Sequence, residues 1–226
     1  MPHWLAAWRR RWLLYHLADA QYAFMLDPAP QGEWVALDCE TTGLDVRKDR
    51  IISIGAVRIA GNRLLTSQRL ELLVRPGRTL KADNVRVHRL RERDVARGLA
   101  PAQAMHRLLN FIGSRPLVGY HLAFDVAMIN REIWPLLGIG LPQRRIEVSA
   151  MYYDFKNRQR PLLERDGPID LRFARMLNEL ALPMRESHDA LNDAVMAGLA
   201  FLKLRCLLQE PVLNLPAPSR SALARG

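Results

Sequence analysis

The stretch WVALDCETTGL, residues 34–44, decides the fold, because a short apolar run ends there in two closely spaced acids. Side chains two residues apart on a strand point to the same face. Asp38 and Glu40 therefore project together, while Cys39 faces the opposite way, into the core. A cation between two neighbouring carboxylates relieves their repulsion, and oxygen ligands favour magnesium or manganese. The alternative is a solvated acidic strand end.

The residues after this stretch predict a β-hairpin. Residues 51–59 are rich in β-branched side chains and predict a second strand. Gly61 and Asn62 separate it from a third predicted strand over 65–74. A Gly-Asn pair between two such runs is typical of a hairpin, so these two strands should be antiparallel.

Helices and strands alternate after a basic loop at 75–100. Pro101 opens a predicted helix with an apolar stripe, residues 117–120 predict a buried strand, and Asp125 begins a second helix. Residues 141–168 give no clear assignment. A helix near 171–180 and a mostly apolar, buried helix over 189–208 complete the pattern. A hairpin followed by alternating helices and strands predicts an α/β layered fold.

Two further acids are candidates for chemistry. Asp125 stands at a predicted helix N-terminus, where a carboxylate is also favoured simply as a cap or dipole partner. Asp193 shares a helix face with apolar residues, and acids are rarely buried without a partner. His188 comes just before that helix and, alone, reads as an ordinary surface histidine.

Three motifs occur in a fixed order: Asp-x-Glu-Thr-Thr-Gly-Leu at 38–44, Phe-Asp at 124–125 and His-x-Ala-x-x-Asp at 188–193. This order and spacing resembles the DEDDh (DnaQ-like) exonuclease family, which includes the proofreading epsilon subunit of bacterial DNA polymerase III. Residues 49–55 also resemble the second strand of that family, and the resemblance covers roughly residues 33–205. It implies a ribonuclease-H-like α/β fold, with a five-stranded mixed sheet flanked by helices.

The resemblance also implies a set of site residues. Two Mg²⁺ (or Mn²⁺) ions would be held by four acids: Asp38, Glu40, Asp125 and Asp193. His188 would be the general base. Substrate contacts are expected from five residues: Thr41, Thr42, Leu44, His88 and Phe124. For the Thr-Thr-Gly segment, a plain turn is the alternative interpretation. The chain departs from the family at Arg89, where the family has glycine, and at His121, where it commonly has asparagine.

The implied activity is a metal-dependent 3'→5' exonuclease that releases nucleoside 5'-monophosphates from single-stranded nucleic acid, with DNA favoured. A net charge of +10 over 226 residues indicates a polyanionic partner, nucleic acid first and an anionic membrane second. The alternative is a basic surface that serves only solubility. A basic stretch either tracks phosphates or is a solvated face; it contains Arg86, Arg89, Arg91, Arg93 and Arg97. The alternatives are a 3'→5' exoribonuclease or oligoribonuclease-type enzyme, and a non-catalytic nucleic-acid-binding polymerase accessory protein. The sequence does not distinguish between pathways of repair, proofreading and RNA turnover.

The chain is expected to divide into an N-terminal helical extension (1–30), an exonuclease domain (31–209) and a flexible tail (210–226). Residues 3–26 predict one helix with aromatic residues at helical spacing and arginines between them. The preferred interpretation is a helix packed on the domain. The alternatives are a membrane-surface helix, or one that binds a polymerase or other protein partner. Two cysteines and no long apolar run predict a cytoplasmic protein without a transmembrane segment.

Overall fold

A computed structural model of the chain describes residues 3–76, 97–161, 167–184 and 189–209. The tail expected at 210–226, most of the basic loop, His88 and His188 lie outside these ranges.

The described residues form one mixed sheet of five strands: β1 (Glu33–Thr41), β2 (Ile51–Ala60), β3 (Arg63–Leu73), β4 (Leu117–Gly119) and β5 (Arg145–Glu147). Their order across the sheet is β3-β2-β1-β4-β5. β2 pairs antiparallel with β1 and β3, whereas β4 pairs parallel with β1 and β5. The predicted five-stranded mixed sheet and its antiparallel hairpin are confirmed, and Gly61 adopts a φ of +59° in the hairpin turn.

The helices among the described residues are α1 (His3–His16), a 3-10 helix (Ala20–Leu26), α2 (Pro101–Ile112), α3 (Leu122–Leu137), α4 (Val148–Gln159), α5 (Phe173–Glu179) and α6 (Ala190–Gln209). The predicted stripe of α2 is confirmed, because all four of its members are buried: Met105, Leu108, Leu109 and Ile112. The unassigned segment 141–168 contains β5 and α4.

The prediction of a single helix over 3–26 is wrong. α1 ends at His16, and the chain resumes as a 3-10 helix at Ala20. The N–H of Ala18 donates to the carbonyl of Leu137 at 2.9 Å, and the Asp19 carboxylate accepts from the N–H of Gln21. A tertiary bond and a new cap therefore interrupt the helix, and neither was visible in the apolar spacing.

α3 begins at Leu122 and not at Asp125 as expected. Residue His121 precedes it in the left-handed conformation, with φ of +55°. Histidine and asparagine are both enriched in this conformation, so the replacement of the family's asparagine leaves the local backbone compatible. The earlier start places Asp125 inside the first turn of the helix.

The sheet separates two apolar clusters. Leu37 and Cys39 of β1 belong to the cluster formed with α2, α3 and the 3-10 helix. Ala36 belongs to the other, formed with α4, α5 and α6. The inward orientation predicted for Cys39 is confirmed, and alternation along β1 directs Asp38 and Glu40 toward the α6 side. The predicted burial of α6 is confirmed too, since Ala194, Ala200 and Leu204 are fully enclosed.

No helix in the described parts of the chain has the length and apolar character needed to cross a bilayer.

Candidate active site

Three of the four predicted acids meet at the C-terminal half of β1. Asp38, Glu40 and Asp193 each offer a carboxylate oxygen, and these oxygens lie within 4.8 Å of one another. Asp38 and Glu40 come from the strand, and Asp193 comes from the first turn of α6. Glu40 is only 6% exposed, and the other two are half-buried. The structure thus joins acids that are more than 150 residues apart in the sequence.

A glycine on the neighbouring strand allows this approach. Gly55 of β2 pairs with Asp38 of β1. A Cβ built on Gly55 would lie 2.2 Å from the backbone of Ala190 and Leu191. The first turn of α6 therefore rests directly on the backbone of β2. This close packing brings Asp193 beside Asp38, and any side chain at residue 55 would lift the helix.

Asp125 reaches the same region from α3. Its carboxylate is 4% exposed and accepts a hydrogen bond from the N–H of Cys39. The recorded pairing of β1 with β4 extends only to Val35 and Ala36, so this N–H lies beyond the paired part of that edge. Asp125 takes the place of a strand partner there. Its charge also raises the pKa of Asp38, and the charge of Glu40 raises the pKa of Asp125, so the fourth acid lies within electrostatic reach of these two.

The acids share a strongly negative, buried environment. Burial chiefly, and then the charges of Asp125, Asp193, Glu40 and Asp189, hold the pKa of Asp38 well above its usual value. Burial chiefly also raises the pKa of Asp125, against the lowering effect of the Cys39 N–H, and the charges of Glu147 and Glu40 add to the rise. A divalent cation would offset this repulsion. A donor set made entirely of carboxylate oxygens fits Mg²⁺ or Mn²⁺.

Glu147, a residue that the sequence analysis missed, fixes the start of α3. Its Oε1 accepts from the N–H of His121 at 3.1 Å, and its Oε2 accepts from the N–H of Leu122 at 2.9 Å. The same carboxylate accepts from the N–H and hydroxyl of Ser149 at the start of α4. One side chain therefore caps two helices. Because Asp125 lies in the first turn of α3, this cap also holds Asp125 in place.

The turn after β1 is held by its own threonines. The hydroxyl of Thr41 donates to the carbonyl of Gly43 at 2.7 Å. The hydroxyl of Thr42 donates to Asp49 Oδ1 at 2.9 Å and accepts from the N–H of Arg50 at 3.0 Å. Both hydroxyls thus have partners within the turn, as the plain-turn interpretation expects.

A second missed residue, Arg131 of α3, ties this turn to the site. Its guanidinium donates to the carbonyls of Val46 and Asp49, the latter at 2.7 Å. The turn is therefore anchored to the helix that carries Asp125. Leu44, in this turn, is 86% exposed.

The remaining predicted residues lie in different settings. Phe124 is half-buried and packs against the cluster between the sheet and α2–α3. Asp189, which was missed as a functional neighbour, accepts from the N–H of Asn192 at 2.9 Å and so caps α6. An aspartate just before a predicted helix is recognisable in the sequence as an N-terminal cap. Of the predicted basic stretch, Arg97 is described and is exposed.

Comparison with known proteins identifies related sequences. A family model for the exonuclease family RNase_T matches residues 35–201. An epsilon-like protein of DNA polymerase III from Rhodobacter capsulatus is 29% identical over 181 residues, which are 78% of this chain and 24% of that protein. A PolC-type DNA polymerase III from Thermotoga maritima is 25% identical over 171 residues, 75% of this chain and 12% of the polymerase. The chain therefore spans a quarter or less of the length of these relatives.

Similar folds occur in solved structures. Escherichia coli exonuclease I, in a zinc-bound complex with single-stranded DNA, superposes with a TM-score of 0.65 at 16% identity, covering 80% of this chain and 41% of that one. Cell-death related nuclease 4 superposes with a TM-score of 0.61 at 15% identity, covering 80% and 65%. At these identities the likeness establishes the shared fold.

Proposed function

The chain belongs to the exonuclease family RNase_T, and we propose that it is a metal-dependent 3'→5' exonuclease acting on single-stranded nucleic acid, with DNA favoured over RNA. The observation that carries this proposal is the meeting of Asp38, Glu40 and Asp193 oxygens within 4.8 Å. Carboxylates crowd together in this way at a cost unless a cation offsets their charge. The sequence relatives named as polymerase III subunits and the exonuclease I–DNA complex support a nucleic-acid substrate.

Asp38, Glu40, Asp125 and Asp193 would hold two Mg²⁺ or Mn²⁺ ions. When bound, such ions lower the pKa of a water molecule and stabilise charge on the leaving oxygen. The protein has the task of fixing the four carboxylates. β1 supplies two, and the contact of α6 with Gly55 and the cap on α3 orient the others.

His188 takes the proton of the attacking water at an imidazole nitrogen, since a histidine pKa near neutrality suits a general base. It directly precedes Asp189, the cap of the helix that carries Asp193. The water oxygen bonds to phosphorus and the bond from phosphorus to the 3' oxygen breaks. That oxygen takes up a proton to become the 3' hydroxyl of the shortened strand, and a nucleoside 5'-monophosphate leaves. Glu40 accepts a hydrogen bond from the 3' hydroxyl of the terminal nucleotide.

The turn after β1 presents the substrate-contacting residues. Leu44 extends into solvent and would lie against the terminal base. Because the hydroxyls of Thr41 and Thr42 bond within the turn, these two residues act mainly by holding Leu44 in position. Phe124 and His88 complete the proposed substrate contacts.

The test is digestion of matched single-stranded DNA and RNA oligonucleotides labelled at the 5' end, with Mg²⁺, with Mn²⁺ and with a chelator. The proposal expects a ladder that shortens from the 3' end, faster on DNA, and abolished by the chelator or by Asp193→Asn. Faster digestion of RNA would favour the exoribonuclease alternative. Binding without any product in either metal would favour the non-catalytic accessory protein.

Three expectations from the sequence stay predictions. They are a polymerase or other protein partner bound through residues 3–26, a cytoplasmic location, and the division of the chain into an extension (1–30), a domain (31–209) and a tail (210–226). The 3-10 helix contributes Tyr22, Met25 and Leu26 to the cluster shared with β1, α2 and α3, so this part of the extension packs with the domain.

A further inference from the structure

The N-terminal helix exposes a stripe of large aromatic side chains. Trp4, Trp8, Trp12 and Tyr15 are 69%, 66%, 48% and 86% exposed. Steps of four, four and three residues place them along one side of α1. We call these four residues the aromatic face. A contiguous stripe of four exposed aromatic side chains on a protein surface marks an interaction site.

The opposite side of α1 is fixed to the domain. Leu13 is buried in the cluster with α2 and α3. Arg10 donates to the carbonyl of Leu26 at 2.9 Å and pairs with Asp27, and Arg9 donates to the carbonyl of Pro142 at 3.2 Å. The helix is thus held along one side. Only one side of α1 therefore faces solvent. A partner with a flat surface can contact that side, whereas a groove that encloses a whole helix cannot.

The aromatic face and the four acids lie toward opposite ends of β1. α1 lines a cavity of about 520 Å³ together with Pro116, just before β4, and Pro142, just before β5. β4 runs parallel to β1, so this is the N-terminal edge of these strands, whereas the acids lie toward the C-terminal end of β1. The N–H of Val35 donates to the carbonyl of Pro116, and Asp38 and Glu40 lie three and five residues farther along β1, about 10 and 17 Å away. A surface bound at α1 would therefore leave the acids accessible.

The charge around the aromatic face indicates which kind of partner this face binds. Arg11 lies three residues after Trp8 and four before Tyr15, at the edge of the aromatic face, and is exposed. α1 contains no aspartate or glutamate. The whole chain carries a net charge of +10. Tryptophan and tyrosine concentrate at the headgroup level of bilayers, and arginines beside them pair with lipid phosphates while their stems lie along apolar surface.

We propose that the aromatic face of α1 binds the surface of an anionic lipid bilayer and holds the chain there as a peripheral protein. The indole rings enter the headgroup region, and Arg11 pairs with an anionic lipid phosphate. This inference does not depend on the nuclease activity, because none of the residues in the aromatic face belongs to the proposed site.

The test uses the full chain and vesicles of equal parts phosphatidylglycerol and phosphatidylcholine, beside vesicles of phosphatidylcholine alone. Co-sedimentation and the tryptophan emission wavelength report binding. The proposal expects binding to the anionic vesicles with a blue shift of emission, weakening as salt rises. Trp8→Ala should lower the partition several-fold, and the triple change at Trp4, Trp8 and Trp12 by about tenfold or more.

Trp134→Ala is the matched control, because Trp134 of α3 is 60% exposed, close to the 66% of Trp8. It should bind vesicles like the wild-type chain. Equal losses in both variants, or no binding to anionic vesicles, would overturn the proposal. So would a dimer or a bound oligonucleotide that Trp8→Ala disrupts while vesicle binding is absent.

The same preparations are assayed for digestion of a free oligonucleotide. Trp8→Ala should digest it at the wild-type rate. Loss of vesicle binding therefore leaves the proposed nuclease intact, and a lack of nuclease activity leaves the vesicle result interpretable.

Discussion

Gly55→Ala tests whether the contact between α6 and β2 positions the candidate site. The added Cβ would lie 2.2 Å from the carbonyl carbon and oxygen of Ala190 and from the nitrogen of Leu191. Ordinary contacts of a Cβ begin near 3.4 Å, so the first turn of α6 must move by about 1.2 Å. The obstructing atoms are backbone, so no rotation of a side chain can relieve the clash.

The shift has two separate costs. Overpacking of this kind destabilises a protein by about 1–3 kcal/mol. Asp193 lies on the displaced turn, and a misplacement of about 1 Å lowers catalysis by roughly 100-fold. We therefore expect Gly55→Ala to fold with a modestly lower Tm, to bind Mn²⁺ more weakly, and to lose most of its kcat/KM on a single-stranded oligonucleotide.

Gly198→Ala is the matched control, because it crowds the same interface farther along α6. Its Cβ would lie 2.7 Å from Cδ1 of Leu64, the end of a flexible side chain, and 3.3 Å from Cβ of Ala36. We expect a loss of stability with kcat/KM and Mn²⁺ affinity near wild type. If Gly55→Ala matched the wild-type chain in metal affinity and activity, the close packing at Gly55 would not be what places Asp193.

Four further predictions concern the acids, their supports and the turn. Asp193→Asn should abolish cleavage but raise the unfolding free energy of the metal-free chain at neutral pH, because it removes a charge that raises the pKa of Asp38; calorimetry with and without Mg²⁺ measures this. The raised folded-state pKa of Asp38 means that the folded chain binds this proton more tightly than the unfolded chain. The Asp38 contribution should therefore raise the unfolding free energy of the metal-free protein as pH falls from that raised pKa toward the usual carboxyl value. A flat plot of unfolding free energy against pH in this range would contradict the prediction. Glu147→Ala should cost about 1–2 kcal/mol and weaken Mn²⁺ binding through Asp125, whereas an unchanged affinity would make Glu147 a helix cap only. Leu44→Ala should raise KM on single-stranded DNA without changing Tm, and an unaltered KM would remove Leu44 from the substrate contacts.

The features predictable from the sequence are those encoded by local patterns. The period of two along β1 points Cys39 away from its acidic neighbours. The turn at Gly61 uses a positive φ that glycine favours, and the apolar stripe of α2 follows the helical period of 3.6. The acids of the candidate site were also identifiable, because three motifs occur in a fixed order along the chain.

Contacts between distant residues were not predictable in the same way. The break after α1 depends on a bond from Ala18 to Leu137, and the approach of α6 depends on Gly55, which looks in sequence like any glycine in a strand. β5 has only three residues, too few for a periodicity. Glu147 resembles an ordinary cap of its own helix, and its second role appears only when α3 is placed beside it.

The account depends on one claim, that Asp38, Glu40, Asp125 and Asp193 together hold divalent cations. Titration of the purified chain with Mn²⁺, followed by the electron paramagnetic resonance signal of the free ion, tests it directly. The account predicts saturable binding to the wild-type chain that Mg²⁺ displaces and that is lost when Asp38 and Asp193 are both changed to asparagine. Equal Mn²⁺ binding by the wild-type and doubly substituted chains would contradict it.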